Sequence, residues 1–286
     1  QGPAPNEISI GCLHVFFLTQ KLKDDISQQT PVTDFITIDS VRIRFETIDG
    51  REDKPVLVFL HEGLGCVEMW KDFPQLLCSR SQCPGLLYDR QGFGKSSPLS
   101  RERDINYVHE YAHRELAALL EKLLDDRPYI LVGHSDGASI ALIYGATHRP
   151  GLRGIISEAA HVFVEEKTVA GIRAADQEYE RLGPKGLTKY HGSRTHAVFK
   201  GWSAVWLSSW FRSWNIEGLL TAIDCPVLAL QGKDDAYGTM AQIDSIVSHV
   251  SGQVEPALIA DCGHTPHRQC PDVTIPLMER FIERIG

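Results

Sequence analysis

The chain has 286 residues, just under two domains at about 150 residues each, and sets 29 basic against 37 acidic residues for a net charge of −8. That acidity speaks against a nucleic-acid partner, which needs a basic face to neutralise phosphates; an apolar share of 43% with 23% charged residues excludes wholesale disorder and collagen-like repeats. The seven cysteines (Cys12, Cys66, Cys78, Cys83, Cys225, Cys262 and Cys270) are odd in number, scattered and free of any C-x-x-C pair, which predicts a reducing, cytoplasmic setting rather than a disulfide framework.

Residues 1–30 are expected to form an N-terminal extension. Its apolar run Ile8–Leu18 is broken by Gly11 and His14 and is too short to span a bilayer, so no stable membrane insertion is expected. Nothing positive precedes it, and Glu7 is negative, which leaves secretion as the alternative location. Strands follow at Phe35–Ile38, Val41–Thr47 and Val56–His61, the last an unbroken apolar run of the kind buried on both sheet faces. That run ends in His61-Glu62-Gly63-Leu64-Gly65, and the next strand, Gly85–Tyr88, ends in Asp89-Arg90-Gln91-Gly92-Phe93-Gly94-Lys95-Ser96. A helix over Glu110–Leu124 carries Leu116, Leu119, Leu120 and Leu123 on one face. The strand Tyr129–Gly133 then runs into Gly133-His134-Ser135-Asp136-Gly137, which opens a second helix.

After a strand at Gly154–Glu158 no convincing strand appears until Val227–Gln231. Residues 160–222 therefore read as an inserted helical lid on a core made of 31–159 and 223–286. The lid holds Trp202, Trp206, Trp210 and Trp214, four residues apart on one slowly drifting helical face. Such a stripe suits the lid's own core; Trp202, Trp206 and Trp210, with Leu64, are also candidate substrate contacts. Beyond Val227–Gln231 come Gly232-Lys233-Asp234-Asp235, a helix over Met240–Val250, a strand at Ala257–Ala260, the loop Asp261-Cys262-Gly263-His264 and a helix over Val273–Ile285. Strands alternating with helices predict an α/β fold: a mostly parallel sheet with helices on both faces.

The chemistry concentrates at strand ends. A serine on a sharp strand-to-helix turn needs flanking glycines, because the turn leaves no room for side chains, and the helix amino terminus then underlies developing negative charge. Ser135 is the candidate nucleophile on that ground. A hydroxyl needs a base and the base needs an acid to fix its tautomer; His264 and Asp235 supply both, with Asp234 the alternative acid and His134 read as structural. The oxyanion donors would be the backbone N–H groups of Asp136 and Gly63, with Leu64 as the second choice for the latter. The scheme calls for no cofactor and no metal. Two rivals remain: a zinc site in Cys262-x-His264-x-x-His267-x-x-Cys270, and a catalytically silent ligand-binding protein.

Taken together, these five strand-end motifs resemble the α/β-hydrolase fold, over roughly Phe35 to Gly286. The resemblance implies a serine esterase or lipase-like hydrolase with a helical lid, acting on a short- to medium-chain or aryl carboxylic ester. Thioesters, lactones and C–C cleavage of dienones are alternatives on the same triad. Relatives with an aspartate nucleophile, the epoxide hydrolases and haloalkane dehalogenases, are excluded by Ser135. The resemblance also exposes one departure: the family commonly has His-Gly at the oxyanion strand end, and this chain has His61-Glu62. Expected partners are a small-molecule ester and, at most, a second copy in a homodimer.

Overall fold

The computed structural model describes residues 31–286; the extension 1–30 and its apolar run lie outside them. Eight strands form one sheet in the order β1-β2-β4-β3-β5-β6-β7-β8. They are β1 (Val32–Ile38), β2 (Val41–Ile48), β3 (Val56–Leu60), β4 (Gly85–Tyr88), β5 (Tyr129–His134), β6 (Leu152–Glu158), β7 (Val227–Gly232) and β8 (Val254–Ile259). The β1–β2 and β2–β4 pairs are antiparallel and all others parallel. In β3, β5 and β7 every residue is buried, as unbroken apolar runs require, and successive side chains enter opposite cores. Val58, Leu60, Leu131 and Ala229 face one core, and Leu57, Phe59, Val132 and Leu230 the other.

Helices cover both faces. α1 (Phe73–Ser81) and α7 (Pro271–Ile285) pack together on one side through Leu77, Cys78, Met278 and Phe281. The other side carries α2 (Tyr107–Glu110, Tyr111–Leu116 and Ala117–Leu124), α3 (Asp136–Gly145) and α6 (Met240–His249). α2 begins three residues ahead of the expected Glu110, its middle segment is a π-helical turn, and Tyr107 and Tyr111 are buried. β8 starts earlier than Ala257 because Pro256, which argues against an interior strand, is tolerated on a sheet edge.

The stretch between β6 and β7 holds α4 (Glu166–Leu182), α5 (Thr195–Leu207) and several short turns. It is pinched at its base by an isolated bridge between Phe163 and Asn215 and by the Ile216 N–H donating to Val162 O at 2.7 Å. The tryptophan stripe does not run on. α5 ends at Leu207, Ser208 turns to extended backbone, and Trp210 falls on a separate short turn, 45% exposed. Trp206, Phe211 and Trp214 instead form a buried aromatic cluster, with Phe211 and Trp214 stacked at 5.5 Å. No helix of the described residues is long and apolar enough to cross a membrane.

Candidate active site

Between β5 and α3 the chain turns within one residue. Ser135 sits at φ 53°, ψ −119°, a backbone region that non-glycine residues rarely occupy. A Cβ on Gly137 would collide with Leu60 O, and one on Gly133 with the Gly137 carbonyl, so neither position accepts another residue. The strain at Ser135 is held by its N–H donating to Glu158 O at 2.8 Å, which ties the turn to the end of β6.

The structure brings three of the expected side chains into one hydrogen-bonded line. His264 Nδ1 lies 2.9 Å from both carboxylate oxygens of Asp235, and His264 Nε2 lies 2.9 Å from Ser135 Oγ. A carboxylate can only accept, so Nδ1 carries the proton and Nε2 is left to accept from the serine hydroxyl. Asp235, the aspartate within reach of His264, is buried, whereas Asp234 is exposed. Burial opposes ionisation of Asp235, but the His264 hydrogen bond and charge, with the Tyr237 N–H at 2.8 Å, hold its carboxyl below the ordinary range. A Cβ on Gly232 would meet the Cys262 and Gly263 carbonyls, so the acid loop and the histidine loop can press together only with glycine there.

The three backbone N–H groups of the expected loops belong to residues that line one cavity with Ser135. Among the described residues the amides of Gly63 and Asp136 donate to nothing, while the Leu64 amide donates to Glu62 Oε2 at 3.2 Å. That favours Gly63 over Leu64 as a free donor. The loop is fixed from below. His61 donates from Nδ1 to Glu62 O at 2.8 Å and accepts from the Arg90 N–H at Nε2, and burial pushes its pKa well down, keeping it neutral. Trp202 presses on the loop from above: a Cβ on Gly63 would lie 2.7 Å from its indole ring.

A cavity of about 240 Å³ opens over Ser135 and His264, lined among others by Glu62, Leu64, Ile172, Trp202, Trp206 and Tyr237. Trp210 is not among its walls. Its expected substrate contact is corrected accordingly: the helix that would have carried it to the cavity stops at Leu207. The metal-like set in the histidine loop does not converge, since His264 faces Asp235 and His267 faces Glu158.

Several contributors were missed in the sequence. His267, on a turn at Pro266–Gln269, donates its backbone N–H to Glu158 Oε1 at 2.6 Å, and its Nδ1 lies 2.7 Å from Glu158 Oε2. Burial disfavours the Glu158 carboxylate, yet the charge and hydrogen bonds of His267 hold its pKa below the usual value. His134 donates from Nε2 to the carbonyl of His264 at 2.7 Å, and burial pushes its pKa down to about 3. Glu158 thus grips the serine turn through its carbonyl and the histidine loop through its carboxylate. Tyr107 donates to Asp136 Oδ2 at 3.0 Å and accepts from the Trp206 indole at 3.0 Å, linking α2, the elbow and α5. Of these, His134 was read as structural from its place on the elbow; the one signal for the rest was the histidine following His264 by three residues, and it pointed to zinc.

Residues 57–277 match the model of the alpha/beta hydrolase family. A proline iminopeptidase of Lactobacillus delbrueckii subsp. lactis is 24% identical over 257 residues, covering 76% of this chain and 86% of that protein. The mouse serine hydrolase BPHL is 22% identical over 273 residues, covering 90% and 91%. Among solved structures, a bacterial membrane phospholipase A superposes with a TM-score of 0.74 at 19% identity, over 96% of this chain and 92% of that one.

Proposed function

We propose that this chain, which belongs to the alpha/beta hydrolase family, is a serine hydrolase that cleaves small carboxylic esters through an acyl-enzyme intermediate. The observation that carries the reading is the continuous line from Ser135 Oγ through His264 to Asp235, with 2.9 Å at each link. Ser135 attacks the acyl carbon while His264 Nε2 takes its proton; Asp235 holds the imidazole and steadies the imidazolium. The amides of Gly63 and Asp136 receive the oxyanion, each such donor contributing roughly 10²–10³ in rate. The alcohol leaves with the proton from His264, and water activated by the same histidine releases the acid.

The segment 160–222 acts as the lid, and Trp202 and Trp206 form its inner wall. A cavity of about 240 Å³ with these aromatic walls suits a short- to medium-chain acyl or aryl group. A second reading, amide cleavage, is favoured by the proline iminopeptidase relative; the same residues would serve, with an amine as leaving group. The test is a panel of p-nitrophenyl esters from acetate to palmitate, with a lactone, a thioester and an aminoacyl p-nitroanilide added. An optimum from butyrate to octanoate, lost by about four to six orders of magnitude in Ser135→Ala, supports the ester reading. Near-full activity in that variant refutes the mechanism. Absence of turnover together with absence of labelling by a serine-directed phosphonate would point to a silent binding protein.

A further inference from the structure

Glu62 is the departure from the family pattern, and the structure gives it an unusual position. Its carboxylate folds back over Gly65, where any Cβ would lie 2.5 Å from Oε2, so the missing side chain at 65 makes its seat. Oε2 accepts the Leu64 N–H, whereas Oε1 has no hydrogen-bond partner among the described residues. The residue lines the cavity over Ser135 and sits immediately before Gly63, the proposed oxyanion donor. Arg90 is near, but its Nη2 is engaged by the Glu62 carbonyl and not the carboxylate, and the guanidinium lies over Phe93 and Tyr111. The other groups whose charge reaches Glu62 are His264 and Asp136, and Asp136 is itself acidic.

Such a carboxylate is a liability in a plain esterase. A negative charge beside the oxyanion loop opposes the negative charge that develops on the carbonyl oxygen. Its burial pushes the Glu62 pKa up, as expected for a carboxylate short of partners. A cation supplied by the substrate removes both difficulties at once. The rest of the cavity is suited to one. Trp202, Trp206 and Tyr237 line it with aromatic rings, and Arg268 in the lining is exposed at the rim. His161 lines the same cavity. Its Nε2 donates to Tyr237 O at 3.1 Å, so Nδ1 is an acceptor, and that atom is buried without a partner.

We infer that Glu62, supported by the His161 acceptor and the tryptophan walls, is a subsite for a substrate ammonium group, so that the preferred substrates are aminoacyl esters or amides rather than neutral acyl esters. The inference rests on the serine hydrolase reading above. Specificity follows from the same geometry: an aminoacyl substrate pairs with the carboxylate as the oxyanion forms, and a neutral acyl group leaves the charge to the nearby Arg90 guanidinium and the Leu64 N–H alone.

The test compares leucine methyl ester with its desamino twin, methyl 4-methylpentanoate, in the wild type and in Glu62→Gln. The wild type should prefer the aminoacyl ester by at least tenfold in kcat/KM. Glu62→Gln should lower the ratio of the two kcat/KM values by about a hundredfold, the scale expected when one partner of a buried charge pair is removed. Leucinol, an ammonium without a scissile bond, should inhibit the wild type competitively and Glu62→Gln at least tenfold more weakly, a binding readout that does not depend on turnover. An unchanged ratio in a folded Glu62→Gln, or a wild type that prefers the desamino ester throughout pH 6–9, overturns the subsite. Ser135-dependent turnover of both esters without preference sinks this inference alone; turnover that survives Ser135→Ala sinks the reading beneath it.

Discussion

Replacing Glu158 by glutamine tests whether the buried pair behind the site holds it together. Glu158 and His267 are 1% and 3% exposed, and the carboxylate accepts two N–H groups from the same residue, at 2.6 and 2.7 Å. Glutamine keeps the shape but offers one acceptor and two donors, so its NH₂ must face one of those N–H groups. The imidazole can escape by moving its proton to Nε2; the backbone N–H has no such option. The variant therefore loses one charge-assisted hydrogen bond, about 1.5–3 kcal/mol. At roughly 2–4 °C per kcal/mol for a chain of this size, Tm should fall by about 3–12 °C at pH 7. Because this clamp also positions the loop carrying His264, kcat should drop by about tenfold or more with KM little changed. The pH dependence has a definite sign. The folded pKa of Glu158 is lowered relative to its ordinary value of 4.5, so the stabilisation is complete above that value and is lost as pH falls through the lower folded pKa. Thermal melts of both proteins from pH 3 to 8 should show a gap that is constant near neutrality and closes in acid. Equal Tm values at pH 7 with an unchanged kcat would refute the clamp.

Two further substitutions probe the same assembly. Asp235→Asn should lower kcat by about 10⁴, as expected when the imidazole is left in the wrong tautomer, whereas exposed Asp234→Asn should stay within a few-fold; ester hydrolysis under saturating substrate decides, and a reversed order would reassign the acid. Trp202→Ala opens the cavity wall and should move the acyl-length optimum to longer chains, while Trp210→Ala, outside the cavity, should leave the optimum in place; a shift in the second variant would return Trp210 to the site.

What could be read from the sequence follows physical locality. The inner strands announce themselves, because a strand buried on both faces has to be apolar throughout, as Val56–Leu60 and Tyr129–Val132 are. Ser135 and Asp235 were legible because each stands just after such a strand, and His264 because it stands on the loop after the last strand, where a parallel sheet gathers its loop ends. The Glu158–His267 contact was not, since it joins residues 109 positions apart through the register of β6 with neighbouring strands. Trp210 was misplaced for a local reason. Four-residue spacing says nothing about where a helix ends, and the Ser208-Ser209 pair after Leu207 was the available stop signal: Ser208 Oγ bonds back to Val205 O at 2.6 Å as the backbone turns extended.

The two glutamates at the ends of β3 and β6 show how partner chemistry separates structure from recognition. Glu62 stands two residues past the apolar strand β3 and Glu158 is the last residue of β6, and burial works against the charge of each. Glu158 has an imidazole and an amide of its own chain within hydrogen-bond distance, and its pKa comes out lowered. Glu62 has one backbone N–H and a free oxygen at the cavity, and its pKa comes out raised. Glu158 is fully buried and Glu62 half-buried at the cavity, and the donors that each one meets set the direction of its shift. A carboxylate satisfied from within fixes geometry. One left short at a cavity beside a nucleophile favours whatever donor the substrate brings, so its substitution should change which substrates are chosen more than how well the protein folds.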